Sequence, residues 1–355
     1  MSIIGQPVAT NQVRDGHQGG VNSGNVNPLY IEQYGGEVEK RILKDSFMRQ
    51  FFKFKSVRGT DTVTNDRMGH TELQKVSRGV RPTDSSPTFD NISVKVDTIV
   101  LARTNQFLLD DFLSHIDVRK ETGQEHGKTI GKFFDEAFIT QGIKAAQITN
   151  KSPAGDELGG WLAADSYTQK IRTAPEGFQG ASPIMLAAAN DELDPDKLER
   201  AIQDMCQKIE EKDVDIMDGV VLVRPAQYYV LLRNTKLLDK DFSEMNGNYA
   251  AGKVLMANGV RIQVTNRFPA TADVGETHFL SNAGNGNAYD VTAEEVSCVA
   301  LFLMPKALLA GETIPLTSKV YYSDIELQWF IDSYLAFGVT PNRAEMAAGV
   351  FAFKA

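Results

Sequence analysis

Residues 117 to 149 set the scale of anything this chain can fold into. Ile130, Phe134, Ala137, Phe138, Gln141, Ala145 and Ile148 fall at steps of three and four, the spacing that places side chains on one stripe of an α-helix. At 1.5 Å per residue a helix of this length spans about 45 Å. Such a helix is a strut, and the rest of the chain has to pack along it.

The strut opens on a near-motif. Gly123-Gln124-Glu125-His126-Gly127-Lys128-Thr129 approaches a phosphate-binding loop, which needs two glycines separated by four residues, then Lys and Ser or Thr, between a buried strand and a helix. Only three residues separate Gly123 from Gly127, no buried strand precedes them, and Asp111, Asp117 and Glu121 bring negative charge. A nucleotide site is therefore not expected. Gly123, Gly127 and Gly131 instead recur every four residues and share one helix face, where missing side chains let another backbone approach. Glycine inside a helix costs up to about 1 kcal/mol relative to alanine. Three on one face predict a close contact, the alternative being frayed first turns.

Other chemistry is equally sparse. His115 and His126, with Asp117 and Glu121, lack the ligand spacing of a metal site. Asp110 and Asp111 are adjacent, so their carboxylates point apart and cannot flank one substrate bond. No nucleophile elbow and no Cys-His pair occurs. Cys206 and Cys298 read as two buried free thiols. No catalytic residue, cofactor or metal is expected.

A net charge of −9 argues against a sequence-reading nucleic-acid binder, because affinity for phosphate backbones comes from clustered Lys and Arg. The first residues, MSIIGQPVAT, lack a basic region followed by an apolar run, and no stretch approaches the ~18 apolar residues of a membrane span. A soluble, unexported protein without membrane partners is expected.

Along the chain, residues 1–28 are rich in Gly, Asn and Gln and predict a mobile tail. From Leu29 to Phe54, Val38, Ile42, Phe47, Phe51 and Phe54 fall at helix-compatible steps among basic residues. Lys40 to Arg58 carries +6, seven basic residues against Asp45. This basic arm is expected to sit on acidic surface of another subunit or to present a solvated face. Residues 56 to 91 turn to Thr, Asp, Ser, Gly and Pro with a strand-like piece at His70–Val76, and Ile92–Val96 alternates as a half-exposed strand does. Together they predict a long two-stranded excursion that needs something to lie on.

Beyond the strut, residues 150–192 are broken by Gly159-Gly160, Pro153, Pro175 and Pro183. A second helix follows, with Asp194 as N-cap, Pro195 at the first helical position and Leu198, Ile202, Met205 and Ile209 as its buried stripe. Strands at 219–223, 260–264 and 278–280, with a short helix at 225–232, predict a compact α/β unit from about 216 to 305. Strands at 325–336 and 349–353 follow, separated by Gly338-Val339-Thr340-Pro341-Asn342-Arg343.

The order of these parts resembles the major capsid proteins of short-tailed double-stranded DNA phages of the autographivirus type. Three stretches carry the resemblance: Tyr34-Gly35-Gly36-Glu37-Val38; Asp110-Asp111-Phe112-Leu113-Ser114-His115-Ile116-Asp117-Val118-Arg119; and Arg343-Ala344-Glu345-Met346-Ala347-Ala348-Gly349-Val350. The likeness in layout covers about residues 29 to 355. It implies the α+β Hong Kong 97-like capsid fold: a tail over 1–28, an amino-terminal arm over 29–55 and an extended loop over 56–105. A peripheral domain over 106–215 with its spine helix at 117–149, an axial domain over 216–305 and a return to the peripheral domain over 306–355 complete it. Residues 150–192 have no counterpart in that layout.

The resemblance further implies hexamers and pentamers of this chain forming an icosahedral shell around double-stranded DNA, without sequence-specific binding, in the virion after assembly in the host cytoplasm. No long amino-terminal helical extension is evident, so a separate scaffolding protein is implied, with a portal protein, an optional decoration protein and a procapsid that expands. Candidate assembly contacts are Tyr34, Gly35, Gly36, Lys40, Arg41, Lys44, Gly123, Gly127 and Gly131. Lys75 and Asn342 are conceivable partners of a covalent crosslink by chain position alone. An encapsulin-like compartment shell and a cytoplasmic nucleotide-binding enzyme are the alternatives.

Overall fold

The computed structural model describes residues 41, 46–56, 59–69, 75–79, 81, 89–108, 118–148, 179–234, 256–257, 259–273 and 278–353. The tail, the 34–38 motif, Lys40, Lys44, residues 110–117 and most of the broken 150–192 segment lie outside them. In chain order the elements are a short helix α1 (Met48–Phe51), strands β1 (Phe54–Ser56), β2 (Thr62–Met68), β3 (Phe89–Lys95) and β4 (Val100–Phe107), and the long helix α2 (Val118–Ala146). Then come β5 (Ser182–Met185), α3 (Pro195–Glu210), β6 (Val220–Val223), α4 (Pro225–Leu231), β7 (Met256–Ala257), β8 (Val260–Val264) and α5 (Ala293–Val296). The chain finishes with β9 (Cys298–Leu303), β10 (Leu308–Ser323), β11 (Gln328–Pro341) and β12 (Ala347–Phe351).

The expected strut is present as α2, 29 residues long, about 44 Å at 1.5 Å per residue. Its surroundings differ from a one-stripe helix. From Ala137 to Ile148 every residue is buried, the condition of a helix enclosed on all sides. The cause is a sheet on either flank. A four-stranded sheet, β1-β10-β11-β4, lies on one side and a six-stranded sheet, β5-β12-β9-β6-β8-β7, on the other.

Alternation in the strands shows how the layers are filled. Val220, Leu222, Leu301, Leu303, Ala347 and Phe351 join the core around α2, with Trp329, Ile331, Leu335 and Phe337 from the opposite sheet. Val221, Val223, Ala300, Phe302, Ala348 and Val350 point the other way, into a second core closed by α3. There Leu198, Ile202, Met205 and Ile209 are buried as their spacing predicts, and Asp194 accepts from the backbone N–H of Asp196 and Lys197 ahead of Pro195. The six-stranded sheet also takes in β5 and β12, outside the 216–305 span. Parallel neighbours such as β5 and β12 are joined only in space, so local sequence does not announce them.

Two strand expectations are corrected. Residues 278–280 form a turn, because the His278 ring is stacked between Phe133 at 5.2 Å and Tyr289 at 5.3 Å, and Leu280 gives its carbonyl to the Asn285 amide. Its apolar neighbours serve ring packing and not a ladder. β11 begins at Gln328 and runs into the expected break at 338–343 as far as Pro341, with Gly338 to Pro341 paired to Gly311 to Leu308. The sequence reading did not reach β1, β4, β5, β7, β9 or β10, and β2 lies ahead of the strand-like piece read at His70–Val76.

Candidate assembly surface

Residues 46–56, the described inner part of the arm, are bound to their own chain. Ser46 and the first backbone N–H groups of α1 converge on the Asp135 carboxylate of α2. Arg49 reaches Glu312 at 3.3 Å and lies over the rings of Phe54 and Phe134. Phe52 and Phe54 pack on Phe138 at 5.2 and 5.7 Å, and β1 pairs in parallel with Ala310 to Glu312 of β10. Aromatic contacts of this kind exceed what area burial alone gives. Burial pushes the Asp135 carboxyl up to about 6, against hydrogen bonds that favour the ionised form.

The two-stranded excursion is the antiparallel pair β2–β3, with Thr62 opposite Lys95 and Met68 opposite Phe89. It lies on the β10–β11 pair. Val63 and Val94 are buried with Leu309 in a satellite core, over Gly311 and Gly338, whose missing side chains leave the room. Farther out, Asn65 Nδ2 donates to Asn342 Oδ1 at 3.2 Å and the Arg67 guanidinium reaches the Asn342 carbonyl. Asn342 Nδ2 in turn donates to the Lys306 carbonyl at 3.1 Å. The side chain once conceivable as a crosslink partner is thus held within its own chain.

Past this seat the hairpin shows apolar side chains to solvent. Phe89 is 71% exposed and its cross-strand partner Met68 50%. At the turn joining β10 and β11, Ile325 is 95% exposed beside Leu327, which sits in the left-handed region at φ 52°. A large exposed aliphatic side chain held on a strained turn costs solvation and backbone energy within the single chain. Both sites gain if another surface covers them.

Of the sequence-derived contact residues, Arg41 is helical and half-buried, while Gly123, Gly127 and Gly131 lie in α2 and are buried within the single chain. Tyr34, Gly35, Gly36, Lys40 and Lys44 lie outside the described residues. One glycine of α2 that a neighbouring element closes on, Gly142, is not among those the sequence reading singled out. A Cβ on Gly142 would stand 2.8 Å from Leu303 Cδ1 and 3.1 Å from Leu301 Cδ2, where β9 crosses the helix. The only signal near it is Ile139, Ile143, Ala145 and Ala146, and Thr140, Gln141 and Lys144 interrupt it.

Among the described residues no cluster of three or more His, Cys, Asp or Glu could hold an ion; His115 and Asp117 lie outside them. His126 is buried, its Nε2 2.8 Å from Thr104 Oγ1 on β4, and burial lowers its pKa. Cys206 and Cys298 are buried thiols outside any disulfide, and burial pushes the Cys298 thiol up to about 12, an inert thiol. Among the described residues no helix is long and apolar enough to cross a membrane.

A long helix between two sheets, an arm laid along it and a hairpin seated on β10 and β11 are the parts of the Hong Kong 97-like capsid fold, and this chain has it. Solved structures similar to it are phage capsids. The mature capsid of bacteriophage PhiM1 matches at 26% identity and TM-score 0.68 over 87% of this chain and 88% of that chain. The capsid of cyanophage P-SCSP1u matches at 17% identity and TM-score 0.71 over 87% and 89%. The capsid of Ralstonia phage GP4 matches at 14% identity and TM-score 0.55 over 88% and 92%. No family model and no curated protein sequence matches the chain.

Proposed function

We propose that this chain is the capsid shell protein of a short-tailed double-stranded DNA phage, assembling as hexamers and pentamers into an icosahedral shell around the genome. The observation that carries the reading is the capsid fold, extending with 26% identity to the PhiM1 capsid over nearly the whole of both chains. The role is structural. The exposed pair Met68 and Phe89 and the bare Ile325 are surfaces that a second copy would cover, and burial on a neighbour stabilises the assembled form by mass action. Tyr34, Gly35, Gly36, Lys40, Arg41 and Lys44 are proposed arm contacts to a neighbour. A scaffolding protein, a portal and expansion of a procapsid belong to the same proposal, as does a net charge of −9 that limits adhesion of packed DNA.

Negative-stain microscopy and size-exclusion chromatography of the purified chain, alone and with the scaffolding protein encoded beside it, test the reading. Ring-shaped capsomers or closed shells are expected. A compact monomer under every condition would overturn it, and shells that load protein cargo without scaffold or portal would point to a cargo compartment instead.

A further inference from the structure

The cap of α1 comes from far away in the chain. The residue at its N-cap, Phe47, offers no side-chain hydrogen bond, so the free N–H groups of its first turn need another acceptor. Asp135 of α2 supplies it. Ser46 Oγ donates to Asp135 Oδ1 at 2.6 Å, Met48 N to the same oxygen at 3.3 Å, and Phe47 N to Oδ2 at 3.3 Å. The carboxylate is 5% exposed, and every donor that reaches it is uncharged.

A cavity of about 190 Å³ adjoins it, lined by Phe47 and Met48 of the arm, Asp135 and Ile139 of α2, Gln263 of β8 and Arg267 beyond that strand, among others. The charged groups around it are few. Arg267 favours the ionised forms of both Asp135 and Glu136, and Lys132 acts on Glu136, which burial drives upward. On the arm, Arg49 is taken up by Glu312 and two ring faces. On β8, Arg261 lies over the Phe47 ring. None of these forms an ion pair with Asp135 itself.

We propose that Asp135 is a proton-controlled latch on the arm: with its carboxyl neutral, residues 46–56 are held on the long helix, and ionisation loosens them. A neutral carboxyl keeps the contacts: protonated at Oδ1 it donates to the Ser46 hydroxyl, Oδ2 still accepts from Phe47 N–H, and Met48 N–H faces the remaining lone pair of Oδ1. An ionised one is buried with no ion pair among the described residues, Arg267 offsetting its burial only in part, and the adjoining cavity and a lifted arm would relieve it by admitting water.

Burial holds the closed-state carboxyl up at about 6 against an ordinary 3.8, and lifting the arm returns it to water. The closed state therefore binds the proton more tightly, and proton binding favours closure. Below about pH 4 both states are neutral. Between about 4 and 6 only the open state ionises, so opening grows as pH rises, by on the order of a hundredfold in total, before levelling off. The latch is a property of one chain and stands or falls independently of shell formation.

Hydrogen–deuterium exchange of the full-length unassembled chain reads this directly. After correction for intrinsic rates, amides of residues 47–52 should lose about thirtyfold protection between pH 4.5 and 7.5, while those of β9 hold steady. Asp135→Asn should keep the segment protected with less than about threefold change over that range, and Asp135→Ala should lower its protection at every pH. Protection of 47–52 that is flat with pH in the natural chain, or a slope in Asp135→Asn equal to it, overturns the proposal.

Discussion

Gly311 and Gly338 stand directly opposite each other across β10 and β11, and the hairpin is seated on the gap they leave. Val63 and Val94 are likewise opposite across β2 and β3. A Cβ on Gly311 would come within 2.5 Å of Val63 Cγ2, and one on Gly338 within 2.9 Å of Val94 Cγ2 and 3.0 Å of the Lys95 carbonyl oxygen. Two cross-strand pairs are stacked, one bearing side chains and one bearing none.

Because one of the atoms facing Gly338 is backbone, it cannot rotate aside. Gly338→Ala is expected to lift the base of the hairpin at a cost of about 1–3 kcal/mol, the range for overpacked sites. Limited proteolysis should cut within residues 62–95 faster in the variant than in the natural chain. Equal cutting rates would mean that the glycine pair is not what seats the hairpin.

Arg224 joins three backbone carbonyls: Cys298 at the start of β9 at 2.8 Å, Val296 at the end of α5 at 2.6 Å and Pro269, beyond β8, at 3.0 Å. It also lies over the Phe268 ring. Arg224→Met keeps the apolar stem but removes its donors from three part-buried hydrogen bonds to backbone carbonyls, each worth about 1–3 kcal/mol. Urea unfolding should show a loss of several kcal/mol, and Arg224→Lys, with one compact ammonium in place of a planar fork, should recover only part of it.

Lys212 gives a pH dependence of the opposite sign to that of Asp135. Its ammonium donates to the Gly180 carbonyl at 2.7 Å and to Ser182 Oγ, pinning the start of β5, and burial lowers its pKa to about 8. The unfolded chain binds this proton more tightly, up to the ordinary 10.5, so between about pH 8 and 10.5 stability from this group rises with pH. The difference in unfolding free energy between the natural chain and Lys212→Met should therefore widen across that window. A constant difference would exclude the linkage.

What could be read from sequence depended on whether a contact's cause was local. The Asp194 cap, Pro195 and the Leu198 stripe lie within a few residues of one another, and α3 matches them. β10 was missed because register shifts fall between Glu312 and Ile314 and between Ile314 and Thr317, which break the two-residue alternation on which strand reading relies. The capping of α1 by Asp135 joins residues 87 to 89 apart, and the seating of Val63 and Val94 on Gly311 and Gly338 spans more than twice that. In each case the sequence holds both partners without any signal that they meet. The buried glycines of α2 show the remaining limit: their spacing predicts a close approach, but spacing cannot say whether the approaching surface belongs to the same chain.

That question separates two substitutions. Gly127 is buried within one protomer, so Gly127→Leu introduces a branched side chain into occupied space and should lower the unfolding temperature of the unassembled chain, overpacking costing about 1–3 kcal/mol, before assembly is considered. Phe89 is 71% exposed at the outer end of the hairpin, and Phe89→Ser should leave monomer stability within about 0.5 kcal/mol while reducing the yield of shells. Thermal unfolding of the unassembled chains and sedimentation of assembly reactions measure the two effects separately. If Gly127→Leu unfolds like the natural chain yet fails to assemble, the glycine face is an interface between copies; if Phe89→Ser assembles normally, the hairpin's exposed pair is not one.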